Sequence, residues 1–495
     1  DLAPVGLGLL NTTGFTMANA TFAGSFLLLG LLFNILWFIK EKRWIYGISA
    51  LLIFFTPFIL LNGLWRVGSI WSPGLFIGDA RASSATAILV VIYILGLYLL
   101  RRFVNVRKAT FVYSTIWIVL FSLAVAMLFV PGSFIRNKYI EQASAARVLV
   151  WDIGFEAFKD KPLLGWGPEN FRFGFYKHFN PELMLRQNLN EVWFDRAHNV
   201  FIDTLVNVGA IGFIIFFILF AYAIFILYKV YKKGKIGFWE AEIIGVLLFA
   251  HVLQIQTSFN TITTYIILSF VLGYLLWLEN GDSQIVDKKK VVAIVLVIFS
   301  LSSLYLNSRE FTTQRSLIKL FTSSTNEEQV INIKKVSAKT HDFELIRISS
   351  ASFISGFLTQ LYKNGNQTVF DNGIGQIHLY EEWYKKYLKN IPNDYRANIN
   401  YSYLLLTKSA LGEDSIEEAK SLISRTYSLS PNNPTTYAIG AIAELYDGNL
   451  EKTLEIWSEG KNLNPKSPYV EKMGAYLLEQ VNNFPDIDIA RVENI

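Results

Sequence analysis

Three side chains carry most of the chemistry that this sequence could perform: Arg81, Arg147 and His198. Two guanidiniums offer planar forks suited to bidentate contacts with phosphate. Histidine is the side chain best poised for general-base work near neutral pH. His198 also lies just ahead of a long apolar run. A helix N-terminus there would favour anions and disfavour the imidazolium. Two phosphate clamps plus one base suit a displacement with a phosphorylated leaving group. A diphosphate lipid is the natural substrate if all three lie on one side of a membrane. No aspartate-rich metal motif accompanies them, so neither a metal nor another cofactor is expected. The bland reading is that span-end arginines bind lipid headgroups or snorkel, and that a span-end histidine is an interfacial polar residue.

What must position these residues is a membrane bundle. The chain has 495 residues, 52% hydrophobic and 17% charged, with a mean hydropathy of +0.34. Soluble domains carry roughly 25% charge. The charge is uneven: residues 1–305 hold 42 Asp, Glu, Lys and Arg, and residues 306–495 hold 43. Two objects are therefore expected, a membrane domain at 1–306 and a water-soluble domain at 307–495. A net charge of +5 needs no nucleic-acid partner, and the absence of cysteine excludes disulfides and thiolate chemistry. The first residue is Asp1, with no basic stretch before the first apolar run. This reads as a fragment of a longer chain or a processed form, with room for earlier spans ahead of it.

Eight apolar stretches are long enough to span a bilayer, at about 20–39, 45–65, 84–100, 110–130, 200–228, 238–257, 261–278 and 291–306. Every second connection is short and basic: Lys40–Arg43, Arg101–Lys108, Lys229–Lys235 and Lys288–Lys290. By the positive-inside rule these face the cytoplasm. Both ends of the chain and the loops at 66–83 and 131–199 then face outward. So do Arg81, Arg147 and His198. In the longer loop, residues 139–161 read as one amphipathic helix with Ile140, Ala143, Val148, Trp151 and Phe155 near one face. The cluster Pro162-Leu163-Leu164-Gly165-Trp166-Gly167-Pro168 ends it.

The soluble end reads as a helical repeat. Pro392-Asn393-Asp394-Tyr395, Pro431-Asn432-Asn433-Pro434 with Tyr437, and Asn464-Pro465 with Tyr469 each open a helical stretch. Pro431 to Pro465 is 34 residues, the tetratricopeptide period, and Pro392 to Pro431 is 39. The expected fold is thus all-α: a polytopic transmembrane bundle followed by a tetratricopeptide-like domain. A generic array of helical hairpins is the alternative for the second part.

From Arg147 to Phe217 the sequence resembles the O-antigen ligase and polymerase superfamily of bacterial membrane glycosyltransferases. Arg147-Val148-Leu149-Val150-Trp151 precedes Pro162-Leu163-Leu164-Gly165-Trp166-Gly167-Pro168-Glu169-Asn170-Phe171, similar to that family's loop signature. His198-Asn199, nine residues, then Gly209-Ala210-Ile211-Gly212 is similar to its most specific motif. Asp79-Ala80-Arg81-Ala82-Ser83 resembles its Ser-Arg-Gly motif, with Ala80 and Ala82 in place of Ser and Gly. The segment from Asn11 to Ala23 weakly resembles one that the family carries before an upstream span. The resemblance implies a metal-independent, inverting transferase of the GT-C type in the bacterial cytoplasmic membrane. The donor it implies is an undecaprenyl-diphosphate-linked glycan. The acceptor would be a hydroxyl of lipid A core, of a growing glycan or of a protein. His198 would be the base, and Arg147 and Arg81 would hold the departing diphosphate. Asn199, Asp195, Arg196 and Arg186 are candidate substrate-binding residues, with Asp195 placed to orient His198. Gly209 and Gly212 would let neighbouring helices approach closely, and Gly165 and Gly167 complete the structural motif.

His251, Gln254 and Gln256 could line the bundle cavity, and His178 is a plain loop histidine. Two other classes compete: a transporter or flippase of the same lipid, and a non-enzymatic scaffold that binds proteins through its repeats. No internal repeat appears among the spans, and the ionisable trio lies at a face rather than mid-membrane, which weighs against transport. Acceptor and protein partners are not legible in the motifs.

Overall fold

The computed structural model describes residues 20–59, 81–104, 107–142, 145–185, 192–256, 262–280, 326–339, 343–364 and 367–481. Phe259 and scattered positions between 297 and 322 are also described. The chain divides into two compact units, Asp1–Phe171 with Asp195–Val286, and Arg172–Phe194 with Asp287–Ile495. Both are all-helical among the described residues, as the hydropathy pattern leads one to expect.

The first unit contains α1 (Ala20–Glu41), α2 (Trp44–Ile59), α3 (Arg81–Phe103), α4 (Arg107–Leu128), α5 (Phe134–Gln142) and α6 (Ala145–Asp160). After the long connection come α8 (Val200–Lys232), α9 (Phe238–Gln254) and α10 (Ile262–Asn280). Helix α7 (Phe171–Lys177) begins at the boundary. These helices fall on seven of the eight expected spans plus the loop. The eighth, at 291–306, lies largely outside the described residues. Ala85–Phe103, Ala109–Leu128 and Val200–Lys232 are each long and apolar enough to cross a membrane. Helix α1 packs against α2, α3, α9 and α10. Leu28, Leu32, Val90, Ile226, Leu247 and Leu275 fill the core between them. Phe111, Val112, Ile118 and Leu120 of α4 point away from it, as lipid-facing side chains do.

Three of the four basic connections border helix ends that gather at one end of this bundle; Lys288–Lys290 lie outside the described residues. Lys40 pairs with Glu240 at 3.5 Å, Lys229 with Glu279, and the Arg101 guanidinium lies 3.6 Å from the Phe238 ring. The ends of α1, α3, α8 and α10 thus meet the start of α9, as alternating spans require. The opposite end carries α5, α6 and the start of α8.

The expected single helix over 139–161 is two helices. Arg136 Nη2 of α5 donates to both carboxylate oxygens of Asp152 of α6, at 3.1 and 2.9 Å. Residues 143 and 144, including the expected face residue Ala143, lie outside the described residues. Helix α6 buries Ala146, Val148, Val150, Trp151, Ile153, Gly154 and Ala157. Phe155, placed on that face by periodicity, is exposed. The buried face is turned towards α8, against which α6 packs.

The second unit comprises α11 (Asn326–Lys339), α12 (Phe343–Asn364), α13 (Gln367–Asn390), α14 (Tyr395–Ala410), α15 (Ile416–Leu429), α16 (Pro434–Tyr446), α17 (Leu450–Leu463) and α18 (Pro468–Val481). Helices α14 and α15 form one hairpin, and α16 and α17 the next. The Pro-Asn turns read from sequence do start helices. Asp394 accepts from Ala397 N at 3.1 Å, and Asn433 from Thr435 N at 3.1 Å. Residues 172–194 of the long connection belong to this unit. Arg172 pairs with Asp394 at 3.3 Å, and Asn464 Nδ2 donates to Pro181 O at 2.6 Å. Phe175, Tyr176, Phe179, Leu183 and Met184 are buried there.

Candidate functional site

The site is built around an interruption in α8. Gly209 has φ 66 and ψ −170, a conformation open only to glycine. In an unbroken helix Ala210 N and Ile211 N would donate to the carbonyls of Val206 and Asn207. Here those carbonyls accept from Trp166 N at 2.8 Å and Gly167 N at 2.9 Å. Ala210 N and Ile211 N turn instead to Pro162 O at 2.8 Å and Leu163 O at 3.3 Å. The Pro-Gly loop thereby replaces two helical hydrogen bonds and gives each of those four backbone groups a partner. A Cβ on Gly209 would overlap the Leu163 carbonyl. One on Gly165 (φ 70) would lie 2.6 Å from Val206 O. The close approach at Gly209 is therefore by this loop, not by a neighbouring helix as expected. At Gly212 a Cβ would collide with Val208 of the same helix. Gly167 has φ 98 and begins the turn into Asn170, whose backbone N donates to Asn207 Oδ1 at 3.0 Å.

The loop that carries His198 is held on both sides. Ala197 N donates to the buried carboxylate of Asp203 at 2.9 Å, and Ala197 O accepts from Trp151 Nε1 at 2.9 Å. Next, Asn199 caps α8: its Oδ1 accepts from Phe201 N at 2.9 Å and Ile202 N at 3.2 Å. Its Nδ2 donates to Gln256 O at 2.9 Å, and Val200 N donates to Ile255 O at 3.0 Å. These bonds fasten the start of α8 to the end of α9. Between the two anchors His198 takes φ 51, a left-handed conformation that costs a side-chain-bearing residue of order 1–3 kcal/mol.

The imidazole edge meets the Phe259 ring at 5.3 Å between centroids, and the Arg196 guanidinium lies 4.9 Å from the same ring. Arg196 is paired with Glu169 Oε2 at 2.5 Å and lies 3.9 Å from Asp203. Burial lowers the His198 pKa from 6.5 to about 4, helped by the positive charges of Arg147 and then Arg196. The imidazole is therefore neutral at physiological pH, with a lone pair to offer. Arg147 is half-buried on α6. Its charge also opposes the burial that holds the Tyr139 phenol above its usual range. A neutral histidine between two guanidiniums can receive an anion and a proton.

Of the expected site residues, Arg147, Arg196 and His198 come together. Asn199 is fully buried, and both ends of its amide are engaged in capping α8 and holding Gln256. Asp195 is exposed. The acid that holds this loop is Asp203, which sequence reading passed over although an ionisable residue in the first turn of an apolar span is itself a signal. Arg81 is the first residue of α3, and its side chain lies outside the described residues, as does Arg186. His251 and Gln254 are buried at the end of α9, with His251 stacked on Phe220 at 6.4 Å. Gln256 is the partner of Asn199. His178 belongs to the second unit.

Residues 67–217 match the family model for the O-antigen ligase. Comparison with curated proteins and with solved structures gives no match. The matched segment runs from before α3 through Arg147, the Pro-Gly loop, His198 and the Gly209 break. Residues 67–217 thus match the O-antigen ligase family model, within a chain that is all-helical among the described residues and has apolar helices long enough to cross a membrane.

Proposed function

We propose that this protein transfers a glycan from a lipid-diphosphate donor of the undecaprenyl type to an acceptor hydroxyl at the outer face of the bacterial cytoplasmic membrane. In this reading His198 takes the proton of the acceptor hydroxyl as its oxygen attacks the anomeric carbon. The bond from that carbon to the diphosphate oxygen breaks with inversion. Arg147, Arg196 and Arg81 hold the charge of the departing lipid diphosphate. The observation that carries the reading is the neutral, half-buried His198 lying in the fields of Arg147 and Arg196.

The same observation supplies a logic for the order of events. A base with a pKa near 4 is weak while the site is empty. A bound diphosphate would neutralise the two guanidiniums and raise the imidazole's proton affinity. The base would gain strength only once the donor is seated, which disfavours idle hydrolysis. The helical-hairpin tail, read as tetratricopeptide-like, would lie outside the cytoplasm and meet the acceptor or an assembly partner.

The test is to incubate the purified protein with an undecaprenyl-diphosphate glycan and separate candidate acceptors: lipid A core, a glycan and a serine-rich peptide. Mass gain by one acceptor supports the reading and identifies the class. No gain by any acceptor, with the donor intact, contradicts it.

A further inference from the structure

The second unit holds a cavity of about 260 Å³ bounded by α11, α12 and α13. That is just below the roughly 300–1,000 Å³ usual for drug-sized ligands, and so suits a small one. Three aromatic rings line it. Phe353 stacks on Phe357 at 5.7 Å between centroids and meets Tyr380 at 5.5 Å with the rings tilted by 30°. Gly356 opens the wall between them, where an added Cβ would meet nothing within 4 Å. The polar lining consists of amides and hydroxyls, with Gln329, Gln360, Asn372 and Gln376 beside Ser349 and Ser352. Among the described lining residues none carries a charge.

Gln376 points to a missing partner. It is 2% exposed, and its Nε2 donates to Gln329 Oε1 at 3.1 Å. Its Oε1 is buried without a hydrogen-bond partner. Whichever way this amide is turned, one end stays unsatisfied, and a buried polar atom left unpaired is costly. A ligand that brings a hydroxyl would satisfy it. An anion or cation would find no counter-charge in this lining. An acyl chain would leave the amide unpaired.

A sugar ring has what this lining asks for: apolar C–H faces for aromatic rings, and equatorial hydroxyls for amides. We propose that this cavity binds one neutral sugar residue. That the sugar belongs to a glycan handled by the membrane domain rests on the function proposed above; the binding itself does not.

The test uses the full chain in lipid nanodiscs, free of glycoside detergent, and saturation-transfer difference NMR. The probes are methyl glycosides of glucose, galactose and N-acetylglucosamine, with glucuronic acid as the charged comparator. At least one neutral glycoside is expected to bind saturably, and glucuronic acid is not. Gly356→Leu, which fills the opening, and Gln376→Leu, which removes the unpaired amide at similar size, are each expected to weaken binding at least tenfold. Melting temperatures are read on the same samples. Absence of saturable binding by every neutral glycoside overturns the proposal. So does either variant that melts like the wild type and still binds within twofold. His198→Ala is expected to bind the glycoside as the wild type does. Retained glycan transfer in that variant would defeat the proposed function without touching the result for this cavity.

Discussion

His198 is expected to be neutral in the empty site and to recover proton affinity when the positive charges around it are removed. Its pKa is lowered from 6.5 to about 4, first by burial and then by Arg147 and Arg196. At 1.36 kcal/mol per pKa unit, this is on the order of 3 kcal/mol in favour of the neutral imidazole. Roughly one His198 in a thousand would then be protonated at pH 7. Arg147→Gln removes the larger of the two charge contributions and leaves burial in place. The pKa should therefore rise but stay below 6.5. Inorganic pyrophosphate added to the wild type should raise it in the same direction by pairing with the guanidiniums.

The sign for stability follows. Between pH 6.5 and 4 the unfolded chain binds a proton that the folded chain refuses, so this group makes stability fall as pH drops through that window. The assay is long-range nitrogen-15 NMR of histidine-labelled protein. The chain has five histidines, so His198→Gln assigns the signal. A wild-type His198 titrating near 6.5 would refute the reasoning, as would an unchanged pKa in Arg147→Gln.

Three further outcomes follow from the geometry around this residue. Trp151→Phe keeps the ring but strips the Nε1 donor from Ala197 O. It should cost about 1–3 kcal/mol, because the carbonyl is left unpaired beside buried residues, and denaturant titration reads the loss. Gly209→Ala would place a Cβ against the Leu163 carbonyl at a backbone angle closed to alanine. It should abolish accumulation of folded protein, seen as loss of the monodisperse peak in size-exclusion chromatography. Asn199→Ala removes the α8 cap and the link to Gln256. A cap alone is worth about 0.5–2 kcal/mol, so the melting temperature should fall, and it should fall less in Gln256→Ala, which keeps the backbone carbonyl that accepts from Asn199 Nδ2.

Much of this molecule is legible in its sequence because bilayer spans are written in long apolar runs and short basic connections. Seven of the eight expected spans fall on described helices, and the basic ends of α1, α3 and α8 do gather together. The turns at Pro392 and Pro431 were legible because the helices after them need side-chain caps. Arg147 and His198 were legible by type and motif. The rest was hidden because it lives in the backbone. Nothing in the spacing of Gly209 says that its neighbour is Leu163, because the contact is made by carbonyl and amide groups that every residue shares. The capping role of Asn199 is not written in its motif, because a motif polar residue and a buried cap have the same letter. Asp203 was masked by the apolar run around it. The division of 139–161 into α5 and α6 left the periodicity of either helix intact, so periodicity alone could not reveal it.

The central claim is that His198 is the base for glycan transfer, and its substitution by alanine tests that most directly. Wild type and His198→Ala are compared at equal amounts of folded protein, with undecaprenyl-diphosphate glycan as donor and the acceptor found to gain mass. A positioned general base is worth roughly 10²–10⁴ in rate, so transfer should fall by at least about a hundredfold while donor binding persists. Transfer by His198→Ala within a few-fold of the wild type would contradict the account.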